Sequence, residues 1–458
     1  MQNERFIRKT DFLSAIKPLI YASKLIGIAP FRFTDQYPGK NNRNNKYIET
    51  STWGIAHSLI LILGLSIAFI PHLNFKITHI HFSYSYTFVI FDVVGSVFLF
   101  LASVMSLLQQ AIIYREELKD SLLTICHIDT YLLRKSYSTV YKKTNIILVS
   151  QLFITFSYFV TLFSFDFITR RTDFGFFHCF IRYVINVLDV VMSLQFVNLI
   201  FLIGHRFTVL NMELSCTITA NQMNIEENAS SSEQNDTVSV IEVDLNNTIR
   251  REKRFRNILR YKSDTDTHIY TNELLRKRLR NQIVLTVRTL RRIYLLLHSV
   301  IMTVNSCFGI QIMLTIISSA TATTLNIHTL IVVLTKDLDT PVKDTMSTFL
   351  MLNLAWTVPA VLRLIVITAS CEMSKKEAER TAVIVQKLLL NRYLDHDILE
   401  ELQLFSQQLL HVNTNFTACG FFTLDFGFLY STLGSVVTFL IFLTQVWESY
   451  GQHSRVIV

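Results

Sequence analysis

The sequence predicts an all-α membrane protein with seven transmembrane helices, a cytoplasmic N-terminus, an extracellular C-terminus and helical extensions on the cytoplasmic side. Three observations predict it. Half of the 458 residues are hydrophobic and only 17% are Asp, Glu, Lys or Arg, against roughly 25% in a soluble chain. Seven apolar stretches reach the ~20 residues that a helix needs to cross the hydrocarbon core. Between them, Lys and Arg fall in alternate segments, which is how cytoplasmic loops are marked.

Taken in order, residues 1–51 form a cytoplasmic tail without a cleavable signal peptide, because residues 1–10 are polar and the next apolar run is broken by Lys17, Pro18 and Lys24. Within it, 12–28 reads as an amphipathic helix, lying on the inner leaflet or packing on the cytoplasmic helix ends. Helices 1–4 occupy 52–203, with spans at 52–71, 86–108, 145–165 and 183–203. Between the second and third, Leu118, Leu122, Ile125, Ile128 and Leu132 recur at helical spacing and predict an amphipathic hairpin over 114–143. The loop 204–297 has two halves. Residues 217–249 are Ser/Asn-rich and polar enough to be disordered, whereas 250–292 are strongly basic and suit anionic lipid head groups better than nucleic acid.

Asn228, Asn235 and Asn246 sit in glycosylation-type tripeptides, but the charge pattern puts them in the cytosol and marks the matches as chance. Helices 5 and 6 occupy 298–370, with spans at 298–319 and 348–370. Residues 371–427 carry two amphipathic helices, marked by Val383, Val385, Leu388 and Leu389 and then by Ile398, Leu402, Phe405 and Leu409. Too polar to span and too apolar to float free, they need partners in this chain or in neighbouring subunits. The seventh span is 428–446, and 447–458 form a short extracellular tail.

Orientation follows from the charges. Lys and Arg number 9, 6, 15 and 5 in one set of alternate segments and 1, 3, 2 and 1 in the other, with Arg363 inside a span. The rich set includes the N-terminal tail, so that end is cytoplasmic. A seven-helix receptor signalling through G proteins has the opposite orientation, and it stands as an alternative together with a secondary transporter. No inverted repeat supports the transporter. Low Gly and Pro exclude a collagenous chain. The six cysteines form no CxxC pair, and the histidines form no HExxH, so neither a metal, a cofactor nor an enzymatic activity is expected.

The C-terminal stretch is the most specific. It runs from Asn415 through Ala418-Cys419-Gly420-Phe421-Phe422-Thr423-Leu424-Asp425 into a helix that ends with Thr438, Phe439, five further residues, Gln445 and Val446. This resembles the signature of insect gustatory receptors, and Cys371 with 377–389 resembles the same family's segment after the sixth helix. Two residues depart from the pattern: Phe439 stands for a Tyr and Val446 for a Phe. Leu440 stands where the sugar-receptor branch often has Glu, which implies a bitter or other non-sugar branch.

The resemblance implies a tastant-gated, non-selective cation channel in the plasma membrane of sensory neurons. It further implies a homotetramer, alone or with other gustatory receptor subunits, whose seventh helices line a central pore. Thr438, Ile441, Phe442, Gln445 and Val446 fall on one face of that helix. An apolar ring there closes a pore by dewetting, and Gln445 either offers its carbonyl to a passing cation or bonds to a neighbouring helix.

Polar groups inside spans are costly and tend to be functional. Asp92, Tyr183, Asn186, Asp189, Gln311, Thr315, Asn353 and Trp356 all fall in the outer halves of spans 2, 4, 5 and 6. Their convergence makes a cup with aromatic walls for a small-molecule tastant, and the resembled family has its ligand site in such an outward-facing cleft. Interhelical hydrogen bonding is the competing use of each. Arg363, in the inner half of span 6, reads as snorkelling or as paired with an inner carboxylate.

Overall fold

The computed structural model describes residues 15–34, 47–80, 86–132, 137–169, 176–230, 265–335, 343–390 and 394–456. Residues 15–25 form helix α1, followed by strands β1 (Phe31–Thr34) and β2 (Tyr47–Thr50), paired antiparallel. Helices α2 (Thr52–Ile80), α3 (Tyr86–Leu108), α4 (Arg115–Leu132), α5 (Tyr137–Thr169), α6 (Phe176–Ser230), α7 (Thr265–Thr335), α8 (Lys343–Leu389) and α9 (His396–His411) come next. A two-stranded hairpin, β3 (Thr417–Ala418) and β4 (Phe422–Thr423), precedes the last helix, α10 (Phe426–Val456).

Seven of these helices, α2, α3, α5, α6, α7, α8 and α10, are long and apolar enough to cross a membrane. Every span expected from the sequence lies in one of them. The helices overrun the expected ends, because backbone hydrogen bonding continues wherever no breaker or cap stops it. Helix α2 continues past Pro71 to Ile80, which puts Lys76 inside a helix rather than in a loop. Helix α6 reaches Ser230, so 217–230, expected to be disordered, are helical and include Asn228. Residues 231–249, Asn235, Asn246 and the basic stretch up to 264 lie outside the described residues.

The sixth span and the first amphipathic segment are one helix, α8, with no break at 371. Lys376 pairs with Glu372 at 3.1 Å and Lys375 with Glu379 at 4.0 Å, each one turn apart. Likewise α10 runs beyond 446 to Val456, so most of the expected tail is helical.

The chain divides into two compact units. The first comprises Met1–Val209, Leu295–Glu379 and Asn413–Val458; the second comprises Leu210–Tyr294 and Arg380–Val412.

In the first unit, α6 and α7 are the covered helices: 67% and 61% of their most apolar windows are buried, against 11% for α10. Small residues permit the close approach of α6 and α8. A Cβ on Gly204 would stand 2.5 Å from the Ser374 hydroxyl, which itself donates to the Ile200 carbonyl at 3.0 Å. Helix α1 packs through Ala15, Ile16, Leu19 and Ile20. The Asn145 amide donates to the Ala15 carbonyl at 3.2 Å and the Ser58 hydroxyl to the Gly27 carbonyl at 2.5 Å, so this segment packs on helices of its own chain.

Helix α4 buries the expected stripe of Leu118, Leu122, Ile125, Ile128 and Leu132. Beside it, Asp129 takes a two-pronged bond from Arg206, at 3.0 and 2.7 Å, and a third from the Tyr141 hydroxyl at 2.6 Å. All of these groups are buried, and the carboxylate's charge is met on both oxygens.

In the second unit, α9 buries Ile398, Leu402 and Phe405 as its spacing predicts, while Leu409 is half-buried. Glu401 accepts from Arg288 Nε at 2.8 Å and faces Arg291 at 3.4 Å, and Phe405 meets Tyr294 at 5.8 Å. On the α8 side the buried face is Thr381 and Val385, with the Thr381 hydroxyl on Asn211 at 2.7 Å. Val383 points the other way and is 49% exposed. The i, i+4 step from Thr381 to Val385 leaves Val383 on the opposite side of the helix.

Candidate functional site

Of the eight candidate ligand residues, four meet directly, in two pairs. Tyr183 on α6 and Trp356 on α8 lie 5.0 Å apart, ring edge to ring face. Phe159 and Phe163 of α5 and Leu352 of α8 complete an apolar cluster around them. The cluster has polar edges. The Tyr183 hydroxyl reaches Asp166 at 3.4 Å, the Tyr158 hydroxyl donates to the Ala355 carbonyl, and the Arg182 guanidinium lies 4.1 Å over the Trp356 ring. Trp356 Nε1 and Asn353 Oδ1 are buried with no hydrogen-bond partner among the described residues. A buried donor and acceptor left open in this way cost stability unless something else supplies the bond.

Asp189 and Thr315 also meet. Asp189 is fully buried; one carboxylate oxygen accepts from the Thr315 hydroxyl at 2.5 Å and the other holds the Arg363 guanidinium. One carboxylate thus ties α6, α7 and α8 together. Arg363 is therefore paired within the bundle and does not snorkel to an interface. Burial is what forces this, because an isolated charge there is far more costly than a paired one.

Besides Asn353, three others stand apart from both pairs. Asp92 on α3 is paired with Lys76 of α2 at 2.8 Å, and the same ammonium donates to Ser96 at 2.6 Å. Asn186 donates to the Arg182 carbonyl one turn back at 2.9 Å. Gln311 is fully buried and donates to the Cys307 carbonyl at 3.1 Å, while its own carbonyl oxygen has no partner among the described residues.

The C-terminal stretch builds a second constellation. Cys419 and Gly420 have φ of 53° and 76°, the sign pattern of a type I′ turn, and the Phe421 N–H closes the turn on the Ala418 carbonyl at 3.0 Å. The second position favours Gly because a side chain there is strained. Asp425 then caps α10: its carboxylate accepts from the Phe428 N–H at 2.9 Å and from the Thr423 hydroxyl at 2.7 Å. Those two bonds, the hydroxyl first, hold the Asp425 carboxyl below its ordinary range. The ammonium of Lys376 lies 5.4 Å over the ring of Phe426, the first residue of α10.

Helix α7 holds this hairpin. The Asn305 amide donates to the Asn415 carbonyl at 2.9 Å and accepts from the Thr417 N–H at 3.1 Å. His298 Nε2 lies 3.0 Å from the Asn413 carbonyl. A Cβ on Gly309 would come within 2.7 Å of the Cys419 nitrogen, so the hairpin rests on bare helix backbone there. His298, Asn305 and Gly309 recur at i, i+7 and i+11 on one helical face. None of the three stands out in the sequence by residue type; their shared face is the available signal.

The family model described as 7tm Chemosensory receptor matches residues 16–446. The chain belongs to this receptor family. Among curated relatives, the putative gustatory receptor 28b of Drosophila melanogaster is 40% identical over 88 residues, covering 19% of this receptor and 18% of that protein. The putative gustatory receptor 2a of the same fly is 25% identical over 172 residues, covering 34% of this receptor and 40% of that protein. The receptor thus matches well under two thirds of either relative's length.

Among solved structures, the insect olfactory receptor OR5 from Machilis hrabei superposes with a TM-score of 0.57 at 13% identity, over 94% of this receptor and 97% of that chain. The same receptor in complex with eugenol gives 0.54 at 13% identity, over 96% and 99%. These likenesses show a shared fold. The receptor is accordingly a multi-pass membrane protein of the chemosensory class and not an enzyme.

In this receptor the candidate pore residues lie on the uncovered side of α10. Ile441 is 54% exposed and Phe442 48%, Thr438 and Gln445 are exposed, and Val446 is half-buried. Another face of α10 borders a cavity of about 340 Å³ shared with α3 and α7. None of the eight candidate ligand residues lines it.

Proposed function

We propose that the receptor is a tastant-gated, non-selective cation channel built from four copies of the chain, with a cytoplasmic N-terminus. In this reading the α10 helices line a central pore, and ligand binds in an outward-facing cleft among α3, α5, α6, α7 and α8. The observation that carries it is the combination at α10. An apolar membrane helix is capped by Asp425 and docked through its hairpin onto α7, yet only 11% of its most apolar window is buried within the chain. Lipid tolerates such a surface, but the row of Thr438, Ile441, Phe442 and Gln445 adds two polar groups to it. Polar groups at membrane depth favour helix partners or water over lipid.

The cleft reading is supported by the residues that meet near α6 and α8. Tyr183 and Trp356 supply an aromatic wall, and the open Trp356 Nε1 and Asn353 Oδ1 supply a donor and an acceptor. That is the composition of a small-molecule site. The eugenol bound by the olfactory relative is a molecule of the size class such a site takes. Exposed apolar side chains in the second unit, Leu390 at 82% and Leu410 at 78%, suit contacts between subunits. The non-sugar branch and the plasma membrane of sensory neurons complete the proposal, resting on the sequence resemblance and Leu440.

Expression of the chain alone, with tastants screened for cation current, is the test. Substituting Gln445 and Val446 is expected to alter permeation or gating while surface expression is kept. Identical currents would remove α10 from the pore. An epitope ahead of Met1 is expected to stain only permeabilised cells; staining of intact cells would give the orientation of a G-protein-coupled receptor instead.

A further inference from the structure

The cavity between α3, α7 and α10 shares no lining residue with the Tyr183–Trp356 cluster or the Asp189 network. Its volume, about 340 Å³, falls at the lower end of the range for small-molecule sites. Its walls are aromatic on one side: Phe91 meets Phe439 edge-on at 5.7 Å, and Phe422 stacks on Phe428 at 4.3 Å. Among the described residues no charged side chain lines it.

The hydroxyls in its wall decide what it takes. Those of Thr321, Thr324 and Thr432 each donate to the carbonyl one turn back at 2.9 Å, and that of Ser435 does so at 3.0 Å. Each proton is thereby spent, and each oxygen keeps lone pairs free to accept. The cavity is an apolar space whose polar atoms are acceptors without spare donors. A charged ligand finds no counter-charge there, and a hydrocarbon leaves the acceptors unused. Helix α10 contributes Phe428, Thr432, Val436, Phe439 and Leu443, one stripe at helical spacing and turned away from Thr438, Ile441 and Gln445.

We propose that this cavity is a second ligand site, taking a small, uncharged, ring-bearing molecule with one hydrogen-bond donor, such as a substituted phenol or alcohol. It is separate from the cleft invoked for tastants, and the wedge it fills is formed in part by α10. Binding to it requires neither current nor assembly, so it is tested independently of the channel reading.

The full-length chain in lipid nanodiscs is photolabelled with a diazirine derivative of 4-tert-butylphenol, and the labelled residues are mapped by mass spectrometry. Saturable labelling on α7 and α10 around Ala320 and Val436 is expected. Unlabelled 4-tert-butylphenol should compete about tenfold better than tert-butylbenzene, which has the same shape without the donor, since one hydrogen bond supplies about that discrimination. Ala320→Trp, which fills the space, should abolish the labelling. Because that variant risks misfolding, the paired Thr324→Val and Thr432→Val variants provide a second measure: labelling is kept and the preference over the hydrocarbon is lost. Labelling that does not saturate, equal competition by the two compounds, or labelling confined to the Tyr183–Trp356 cluster each overturns the proposal.

Discussion

At Asp189 a carboxylate with no exposed surface meets the Thr315 hydroxyl on one oxygen and the Arg363 guanidinium on the other. Removing one partner of such a pair strands the other's charge, at about 3–5 kcal/mol, whereas replacing both with apolar groups of similar size is often neutral. Asp189→Ala is therefore expected to lower the thermal midpoint of the purified receptor sharply. The double change Asp189→Leu with Arg363→Met should recover most of the loss. A double variant as unstable as the single one would mean that the pair is not what the fold depends on. The polar positions of Asp189 and Thr315 were legible as singular from their place inside spans. That Arg363 was their partner was not, because the two lie 174 residues apart and linear sequence carries no such distance.

The hairpin and α10 act as one element. Its turn needs positive φ at Cys419 and Gly420, its cap needs the Asp425 carboxylate, and its seat on α7 needs Asn305 and a bare backbone at Gly309. Losing an N-cap costs about 1 kcal/mol, so Asp425→Ala should fray the start of α10 while Asp425→Asn keeps most of the cap. The pH dependence has a definite sign. The folded carboxyl is held below its ordinary value of 3.8, so its contribution is complete above that value and fades as pH falls through the lower, folded one. The midpoint difference between the native chain and Asp425→Ala should therefore be constant near neutrality and shrink only on strong acidification. A difference that grew with acid would refute the cap. The motif was visible in the sequence; that its Asp serves as a cap, and that α7 carries the complementary face, came from the fold.

At the level of the molecule, the most exposed apolar side chains of the second unit, Leu390 and Leu410, have no cover within the chain among the described residues. If they are buried between subunits, replacing both with Ser should leave the single chain folded and weaken the assembly. Native mass spectrometry of the solubilised receptor should then show tetramer giving way to smaller species. Unchanged assembly would locate the contacts elsewhere.

What the sequence determined by itself was everything governed by local periodicity and length. The seven spans, the buried stripe of α4, the Ile398–Leu402–Phe405 face of α9 and the C-terminal signature are all of this kind, because apolar residues must recur at the helical repeat to reach a core or a bilayer. Helix ends were misjudged wherever polarity changed without a breaker, as at 371 and 217, since hydrogen bonding of the backbone outlasts the change in side chains. Only the tertiary structure decided the pairings: Asp189 with Arg363, Asp129 with Arg206, Asn305 with the hairpin, and the hollow behind α10. Each joins residues far apart in the chain, and it is the packing of whole helices that brings them within reach of one another.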